Sequence, residues 1–280
     1  MRMDLTSYEE KIKSEISAKK FLLKLCWKNH QRFCPRCLTR KLYRLATGKR
    51  RCSRCGYTFH DFSGRFLNLA RLSPRQWLRF IKLFELDTKP EIMTRQMLLS
   101  HNSIRKLLTI SRLSILSGSL DGPGIIRDLN MLELLKNSST SRSISPVLGI
   151  LPMNGSIFID CIPDLGLDSL VHFHRSFGLR TKKMGRIVYT DPYKKYLSLT
   201  AWDDGTFHKS RFNPADDQTV LDTDRNFWEF ARTRLTDFKA RDPLRFLLFM
   251  KELEFRHNCT DKDLFTSLAR HLCLFVPVLE

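Results

Sequence analysis

The sequence predicts a mixed α/β chain in which a small cysteine-containing module and a helical module precede a domain of strands and helices. Three observations support this prediction. Four of the eight cysteines form two Cys-x2-Cys pairs, apolar residues then recur at helical spacing over residues 73–115, and short apolar strands alternate with helices after residue 120. With 280 residues, 42% of them hydrophobic, the chain can bury a sizeable core. The predicted parts are a helical segment over 1–29, the cysteine module over 30–70, the helical module over 71–120 and the α/β domain over 121–280.

The positive charge of the chain is concentrated in its N-terminal part. The net charge is +19, and residues up to Leu120 contain 26 basic and 8 acidic residues, against 22 and 21 in the remainder. A basic module of this size is typical of proteins that bind a polyanion, most often nucleic acid, through phosphate contacts. The longest apolar stretches, Phe246–Met250 and Leu272–Val278, fall far short of the ~18 residues that span a bilayer. The N-terminus also lacks the apolar core of a secretory signal, so we expect a cytoplasmic protein without membrane association.

The first motif is a pair of cysteine knuckles. Cys34-Pro-Arg-Cys37 is followed, after fourteen residues, by Cys52-Ser-Arg-Cys55. Each knuckle directs two thiolates at one ion, and two knuckles complete a tetrahedral four-cysteine zinc site. Since four thiolates leave no open coordination position, this zinc would be structural. Disulfides are the alternative, and they are disfavoured in a cytosolic chain.

The residues in and between the knuckles are strongly basic. Tyr43 and Leu45 alternate with basic residues as in a strand, and Thr47-Gly48-Lys49 is typical of a hairpin turn. No acidic residue lies in this stretch. The candidate DNA-contacting residues here are Arg40, Lys41, Arg50 and Arg51.

Three helices are predicted after the cysteine module. Ser73 and Gln76 form a capping box around Pro74, which starts the first helix, and Lys89-Pro90 starts a second. A third helix follows Ser100-His101-Asn102. Its apolar face is inward, and its basic side chains form a candidate DNA-contacting face through Arg105, Lys106 and Arg112. Three short helices with a basic last helix fit a helix-turn-helix.

The last part of the sequence alternates between strands and helices. Residues 124–128 form a possible strand that ends at Asp128, and residues 147–151 and 156–162 form a hairpin around Met153-Asn154-Gly155. Further elements are predicted as a helix over 167–177, a strand over 186–190 that leads to Asp191, a helix that begins at Asn226 after Asp222–Asp224, and a last helix over 244–257.

This order of elements is that of an RNase H-like α/β core with C-terminal helices. The most specific motifs are the two knuckles, Ile187–Asp191 with Tyr193 and Tyr196, Asn226–Trp228 and Glu252–Asn258. Together they resemble bacterial insertion-sequence transposases that contain a zinc ribbon, a helix-turn-helix and a DDE catalytic domain. The resemblance covers about Phe33 to Asn258.

The resemblance implies a set of catalytic residues. Asp191 would be the second catalytic aspartate and Asp128 the first, with Asp160 as a weaker competing candidate. The family has an acid directly before the Asn-Phe-Trp helix, and here that position is Arg225. Asp224 and Glu229 are the nearest acids that could replace it. In such a site, Asp128 and Asp191 would share one Mg²⁺ or Mn²⁺ ion, and a second ion would complete two-metal cleavage and joining of DNA strands.

The resemblance therefore implies a bacterial, nucleoid-associated transposase that binds double-stranded DNA as a homo-oligomer. Its DNA would be the terminal inverted repeats of its element and a target site, and its catalysis would be impaired by Arg225. The alternative is a catalytically inactive, transposase-derived DNA-binding protein, which Arg225 favours. A zinc-ribbon RNA-binding protein is a third interpretation, and the predicted helix-turn-helix argues against it.

Overall fold

A computed structural model describes residues 4–136, 146–153, 156–162, 196, 198–203, 206–211, 218–238, 242–259 and 263–277. The chain divides into two units. The first contains residues 1–127 together with 261–280, and the second contains residues 128–260. The last twenty residues, which the sequence analysis placed in the domain over 121–280, are thus grouped with the N-terminal unit.

The first unit is built mainly of helices. They are α1 (Leu5–Ile12), α2 (Glu15–Cys26), α3 (Pro74–Glu85), α4 (Pro90–Met97), α5 (His101–Ser117) and α6 (Gly122–Asp128). Between α2 and α3 lie three short strands, β1 (Leu42–Arg44), β2 (Arg50–Cys52) and β3 (Thr58–Phe59). Short 3-10 turns at Lys28–His30 and Phe66–Leu69 also belong to this unit, and a third at Met131–Lys136 lies at the start of the second unit.

Side-chain caps explain where several of these helices begin. Ser73 accepts a hydrogen bond from Gln76 N, and Gln76 Oε1 accepts one from Ser73 N, which confirms the predicted capping box of α3. Glu15 at the start of α2 accepts hydrogen bonds from Ser73 Oγ and from Arg75 N, so it supports the same helix start. Ser100 caps α5 in the same way by accepting from Ser103 N.

The predicted three-helix module is present, and a C-terminal helix completes its core. Helix α9 (Leu264–Leu272) packs on α2, α3 and α5. Its apolar stripe is fully buried and consists of Phe265, Leu268, Ala269 and Leu272. Full burial of a large apolar side chain stabilises a fold by about 1.5–3 kcal/mol. This helix is therefore an integral part of the first unit.

A buried arginine holds the two ends of this unit together. Arg65, which is 4% exposed, donates hydrogen bonds to Cys26 O at the end of α2 and to Cys273 O just after α9. Its guanidinium also lies 4.5 Å from the Trp27 ring centroid and 4.1 Å from that of Phe275. The cation is therefore compensated by carbonyl oxygens and aromatic faces.

The second unit contains an antiparallel sheet. Its strands are β4 (Val147–Met153), β5 (Ser156–Ile162), β6 (Ser198–Asp203) and β7 (Thr206–Arg211), in the order β5-β4-β6-β7. The predicted hairpin is confirmed, with Met153 opposite Ser156 across the two-residue connection. Gly149 in β4 is required by close packing, because a Cβ atom there would lie 2.3 Å from the Tyr196 ring.

Two helices of the second unit pack on this sheet. They are α7 (Gln218–Thr236), against β4 and β5, and α8 (Pro243–Asn258), against β5 and β6. Phe227 and Trp228 are buried, as the sequence predicts, and Trp228 Nε1 donates to Ser198 Oγ. No helix within the described residues is both long and apolar enough to cross a membrane.

Two secondary-structure predictions are wrong. Residues 124–128 belong to helix α6 rather than to a strand. Pro123 is tolerated in a first turn, and a Cβ on Gly122 would lie 1.5 Å from Leu116 O, so glycine is needed where this helix starts. Helix α7 begins at Gln218, eight residues before Asn226, because no glycine or proline interrupts that stretch. The predicted elements over 167–177 and 186–190 lie outside the described residues.

Candidate metal centre and nucleic-acid interface

The two cysteine knuckles have closely similar backbone structures. Cys34 O accepts a hydrogen bond from Leu38 N at 2.9 Å, and Cys52 O accepts one from Gly56 N at 3.1 Å. The residue after each knuckle is left-handed, with φ 59° at Leu38 and 67° at Gly56. Each loop therefore turns back on itself tightly enough to present both of its sulfurs on one side.

The four cysteine sulfurs converge on one point. All four Sγ atoms lie within 4.8 Å of one another. The Sγ atoms of Cys34 and Cys55 are 3.6 Å apart, and those of Cys37 and Cys52 are 3.4 Å apart. Zn–S bonds of about 2.3 Å would place tetrahedrally arranged sulfurs about 3.8 Å apart. The cluster therefore has the size of a four-thiolate zinc site, and the cysteines are free thiols.

The environment of the cluster shifts the pKa values of two cysteines in opposite directions. A backbone hydrogen bond with Tyr57 lowers the pKa of Cys55, but desolvation and hydrogen bonds to the other three cysteines outweigh it and raise that pKa to about 11. Cys37 Sγ lies 3.4 Å from Thr39 Oγ1, and hydrogen bonding to the side chain and backbone of Thr39 lowers the pKa of Cys37 to about 6. Arg54 N donates to Cys52 Sγ at 3.4 Å. Zinc binds the thiolate form, and the contacts of Cys37 and Cys52 fit the predicted structural zinc.

The sheet of β1, β2 and β3, called the zinc-binding sheet below, has two chemically different faces. On one face, Arg50 Nε lies 2.9 Å from Asp61 Oδ1, which also pairs with Arg32. Burial raises the pKa of Asp61, but the two guanidiniums outweigh that effect and hold it below its ordinary value. On the other face, Arg51 and Tyr43 are exposed. Of the predicted DNA-contacting residues in the ribbon, Arg40, Lys41 and Arg51 are therefore exposed, and Arg50 is engaged with Asp61.

Helix α5 presents basic side chains at its N-terminal half. Arg105 and Lys106 are exposed and Arg112 is half-buried, whereas Ile104 and Leu107 are in the core. Helix α5 follows α4 after three residues, and the two helices pack together. Its 17 residues give it a length of about 25 Å. The exposed side chains of α5 lie in its first two turns, and every residue from Thr109 to Leu116 except Arg112 is buried, so only the N-terminal part of the helix is available for contact with DNA.

The predicted catalytic acids are not gathered into one site by the described residues. Asp128 is the exposed last residue of α6, and Glu229 is exposed on α7. Asp224 lies within α7 rather than before it, and Asp191 lies outside the described residues. Asp160, on β5, accepts a hydrogen bond from Tyr196 Oη. Within the part of the chain that the structure describes, the cysteine cluster is the one group of three or more potential metal ligands.

The structure also assigns roles that the sequence analysis did not predict. Asn258 Oδ1 accepts from Ile157 N and its Nδ2 donates to Ile157 O, while Glu254 accepts from Ile159 N. These two side chains, one helical turn apart, bond the open edge of β5 to helix α8. Glu252 pairs with Arg256 at 2.7 Å in a buried environment. Glu254 and Asn258 thus join the helix to the sheet, whereas Glu252 and Arg256 pair with each other within the helix.

The ribbon geometry defines a metal-binding module of the four-cysteine class. Residues 13–58 match the model of a transposase zinc-ribbon domain of the IS1595 type. The matched segment contains all four cysteines and the first two strands. No curated protein and no solved structure matches the chain. The N-terminal part is therefore a transposase zinc-ribbon domain with a complete four-cysteine cluster, and the chain as a whole has a mixed α/β structure.

Proposed function

We propose that the chain is a DNA transposase whose first unit binds element ends and whose second unit is an RNase H-like DDE domain that cuts and joins DNA strands. The single observation that carries this proposal is the match of residues 13–58 to a transposase zinc-ribbon domain. Transposases act on DNA, and the excess positive charge of the first 120 residues supports the same partner.

In this proposal the first unit supplies two DNA-contacting elements. The ribbon contributes Arg40, Lys41 and Arg51, and helix α5 contributes Arg105 and Lys106, all of them exposed. Phosphate contacts from both elements would bind DNA with a strong dependence on salt. Binding at two element ends implies that the protein acts as a homo-oligomer on DNA.

The second unit would carry the catalytic acids. Asp128 and Asp191 would be the first two acids, and Asp224 or Glu229 would stand in for the third. Arg225 is exposed on α7 at the position where the resembled family has its acid. A guanidinium there replaces a carboxylate by a positive charge, and a positive charge repels divalent cations. We therefore expect strand cleavage by this chain to be weak or absent.

Arg225 also favours a second candidate function. A transposase-derived protein that has lost catalysis would keep the zinc ribbon and the basic helices and would bind DNA without cutting it. The two candidates share the same first unit and differ only in the activity of the second.

One experiment tests both candidates. The purified zinc-loaded chain is incubated with Mg²⁺ or Mn²⁺ and DNA that carries the sequences flanking its gene, and binding and strand cleavage are measured on the same samples. Binding with cleavage supports the transposase, and binding without cleavage supports the inactive derivative. Absence of DNA binding at low salt contradicts both. Terminal inverted repeats on both sides of the gene would identify a mobile element.

A further inference from the structure

The outward face of the zinc-binding sheet carries a row of three exposed side chains. Tyr43 of β1 lies opposite Arg51 of β2, and Arg51 lies opposite Thr58 of β3. Tyr43 is 55% exposed, and the other two residues are exposed as well. Directly opposite residues in antiparallel strands have Cβ atoms about 4.5–5.5 Å apart, so the phenol and the guanidinium are neighbours on one surface.

A second tyrosine and a second arginine, next to and within the same sheet, already contact other side chains of the protein. Tyr57 stacks on Phe59, with ring centroids 5.9 Å apart and an interplanar angle of 12°, and Arg50 pairs with Asp61. By contrast, neither Tyr43 nor Arg51 has a side-chain hydrogen bond, ion pair or ring contact among residues 4–136 or the later described segments. One tyrosine and one arginine therefore already contact other side chains of the protein, although Tyr57 is 38% exposed, and one of each is exposed without such a contact.

The chemistry of this row identifies its ligand. Eight basic residues and no acidic residue lie between Phe33 and His60, so the surroundings attract phosphates. Phosphate binding alone needs only arginine and lysine side chains. An exposed aromatic ring next to a guanidinium adds a surface on which an unpaired base can stack, whereas the faces of bases within a duplex are covered by their neighbours.

We propose that the row Tyr43–Arg51–Thr58 binds single-stranded DNA, with a base stacked on Tyr43 and the adjoining phosphate held by Arg51. The inference rests on the proposed function, since it concerns DNA at the end of an element. In this arrangement the ribbon binds the unpaired strand at that end, and helix α5 binds the neighbouring duplex. Thr58 offers a hydroxyl for a hydrogen bond to the strand beside this stack.

The test measures binding of the full-length, zinc-loaded protein to three labelled DNAs by fluorescence anisotropy. They are a single strand of about 12 nucleotides, a blunt duplex, and the same duplex with a single-stranded tail. Tyr43→Ala should weaken binding of the single strand about tenfold and remove the advantage of the tailed duplex over the blunt one. Tyr43→Phe should retain both, because stacking needs the ring and not the hydroxyl.

Charge-matched variants separate stacking from phosphate binding. Arg51→Ala should weaken binding of the single strand and lower the slope of log affinity against log salt by about 1, whereas Tyr43→Ala should leave that slope unchanged. Arg54→Ala, which removes an exposed charge outside the row, is the control for Arg51 and should affect single strand and duplex equally. Zinc content, measured for every variant, shows whether the ribbon is intact.

Three results would overturn the inference. One is an equal effect of Tyr43→Ala on the single strand and on the blunt duplex, which would mean that the row contacts duplex DNA. Another is a Tyr43→Phe variant as weak as Tyr43→Ala. The third is tighter binding of a single-stranded RNA of the same sequence. If the wild-type protein binds the blunt duplex but ignores the tail, this inference alone fails, whereas a protein that binds none of the three DNAs contradicts the proposed function too.

Discussion

The cysteine cluster of the first unit and the acidic residues of the second unit are both candidate metal ligands, but their side chains are used differently. The four sulfurs point at a common centre and lie within 4.8 Å of one another. Three acids within the described part of the second unit instead bond to the protein: Asp160 to Tyr196, Glu252 to Arg256 and Glu254 to the edge of β5.

The difference follows from how far apart the members of each set of ligands lie in the sequence. The cysteine cluster needs two loops and a hairpin, all within residues 34–55, so local turn geometry alone brings the ligands together. A carboxylate site in the second unit needs acids from distant segments, and its predicted members Asp128, Asp191 and Asp224 are separated by 33 residues or more. A set of acids on a sequence is therefore weak evidence for a site until the fold has placed them.

The largest expected effect is loss of the ribbon when one ligand is removed. Cys52→Ser should abolish binding of the single zinc ion and unfold residues 34–59, because structural zinc contributes on the order of 10 kcal/mol to such modules. Metal analysis of the freshly purified protein checks the stoichiometry. Cys161→Ser, which replaces a cysteine of β5 in the second unit, is the control and should retain full zinc. Wild-type protein without zinc would contradict the assignment of the cluster.

The next effect tests whether the acids of the second unit are structural. Arg256→Met should lower the free energy of unfolding by about 3–5 kcal/mol, because it removes a buried cation that pairs with the buried Glu252 carboxylate at 2.7 Å. Urea unfolding provides the measurement. Arg232→Met on the exposed side of α7 should change stability by less than about 0.5 kcal/mol. Equal stability of the two variants would show that the pair within α8 does not stabilise the fold.

A smaller effect tests the basic face of helix α5. The double variant Arg105→Ala, Lys106→Ala should weaken duplex binding about tenfold and lower the salt slope by about 1 for each phosphate that is no longer neutralised. Anisotropy titrations at several salt concentrations would measure both quantities.

Arg270→Ala is the control for the helix α5 variant. Arg270 is an exposed residue of α9 in the same unit, and its replacement should have little effect on binding. If the double variant binds duplex DNA as tightly as the wild type does, helix α5 is not the helix that enters the groove.

The smallest expected effect concerns the candidate catalytic site. Arg225→Glu should raise Mn²⁺ affinity a few-fold, because it replaces a cation by a carboxylate at the family position of the third acid. Arg232→Glu makes the same change of charge two turns later on α7 and should not raise it. Calorimetric titration with Mn²⁺ measures both. Strong cleavage of DNA by the wild-type protein that disappears in Asp224→Asn or Glu229→Gln would show instead that this residue acts as the third catalytic acid.

Local features of the fold could be predicted from the sequence, and features that depend on distant partners could not. The capping box at Ser73 and the hairpin around Asn154-Gly155 depend on neighbouring residues. The strand predicted over 124–128 is a helix because a short apolar run such as Ile125-Ile126 fits either structure, and packing decides between them. The structural role of Arg65 could not be predicted, because its carbonyl partners at Cys26 and Cys273 lie 39 and 208 positions away in the sequence.

For the candidate sites the same distinction holds. The convergence of the four cysteines follows from their spacing, and helical periodicity is enough to place Arg105 and Lys106 on the exposed side of α5. The pairing of Arg50 with Asp61 could not be predicted, because Asp61 lies beyond the second cysteine knuckle and no pattern connects the two residues. The roles of Glu254 and Asn258 were also missed, since hydrogen bonds from side chains to a strand edge have no sequence period.

Helix α9 has a consequence for how the protein is made. A ribosome releases the chain from its N-terminus, so the ribbon and α5 emerge long before Leu264–Leu272, whose apolar side chains fill the core beneath α3 and α5. The second unit, residues 128–260, is contiguous and can fold first. Helices α2, α3 and α5 cannot complete their core until α9 has been synthesised. We therefore expect a product that stops prematurely after residue 260 to lack a stable DNA-binding unit even though it contains every basic residue of that surface. DNA binding would thus require that helix α9 has been synthesised.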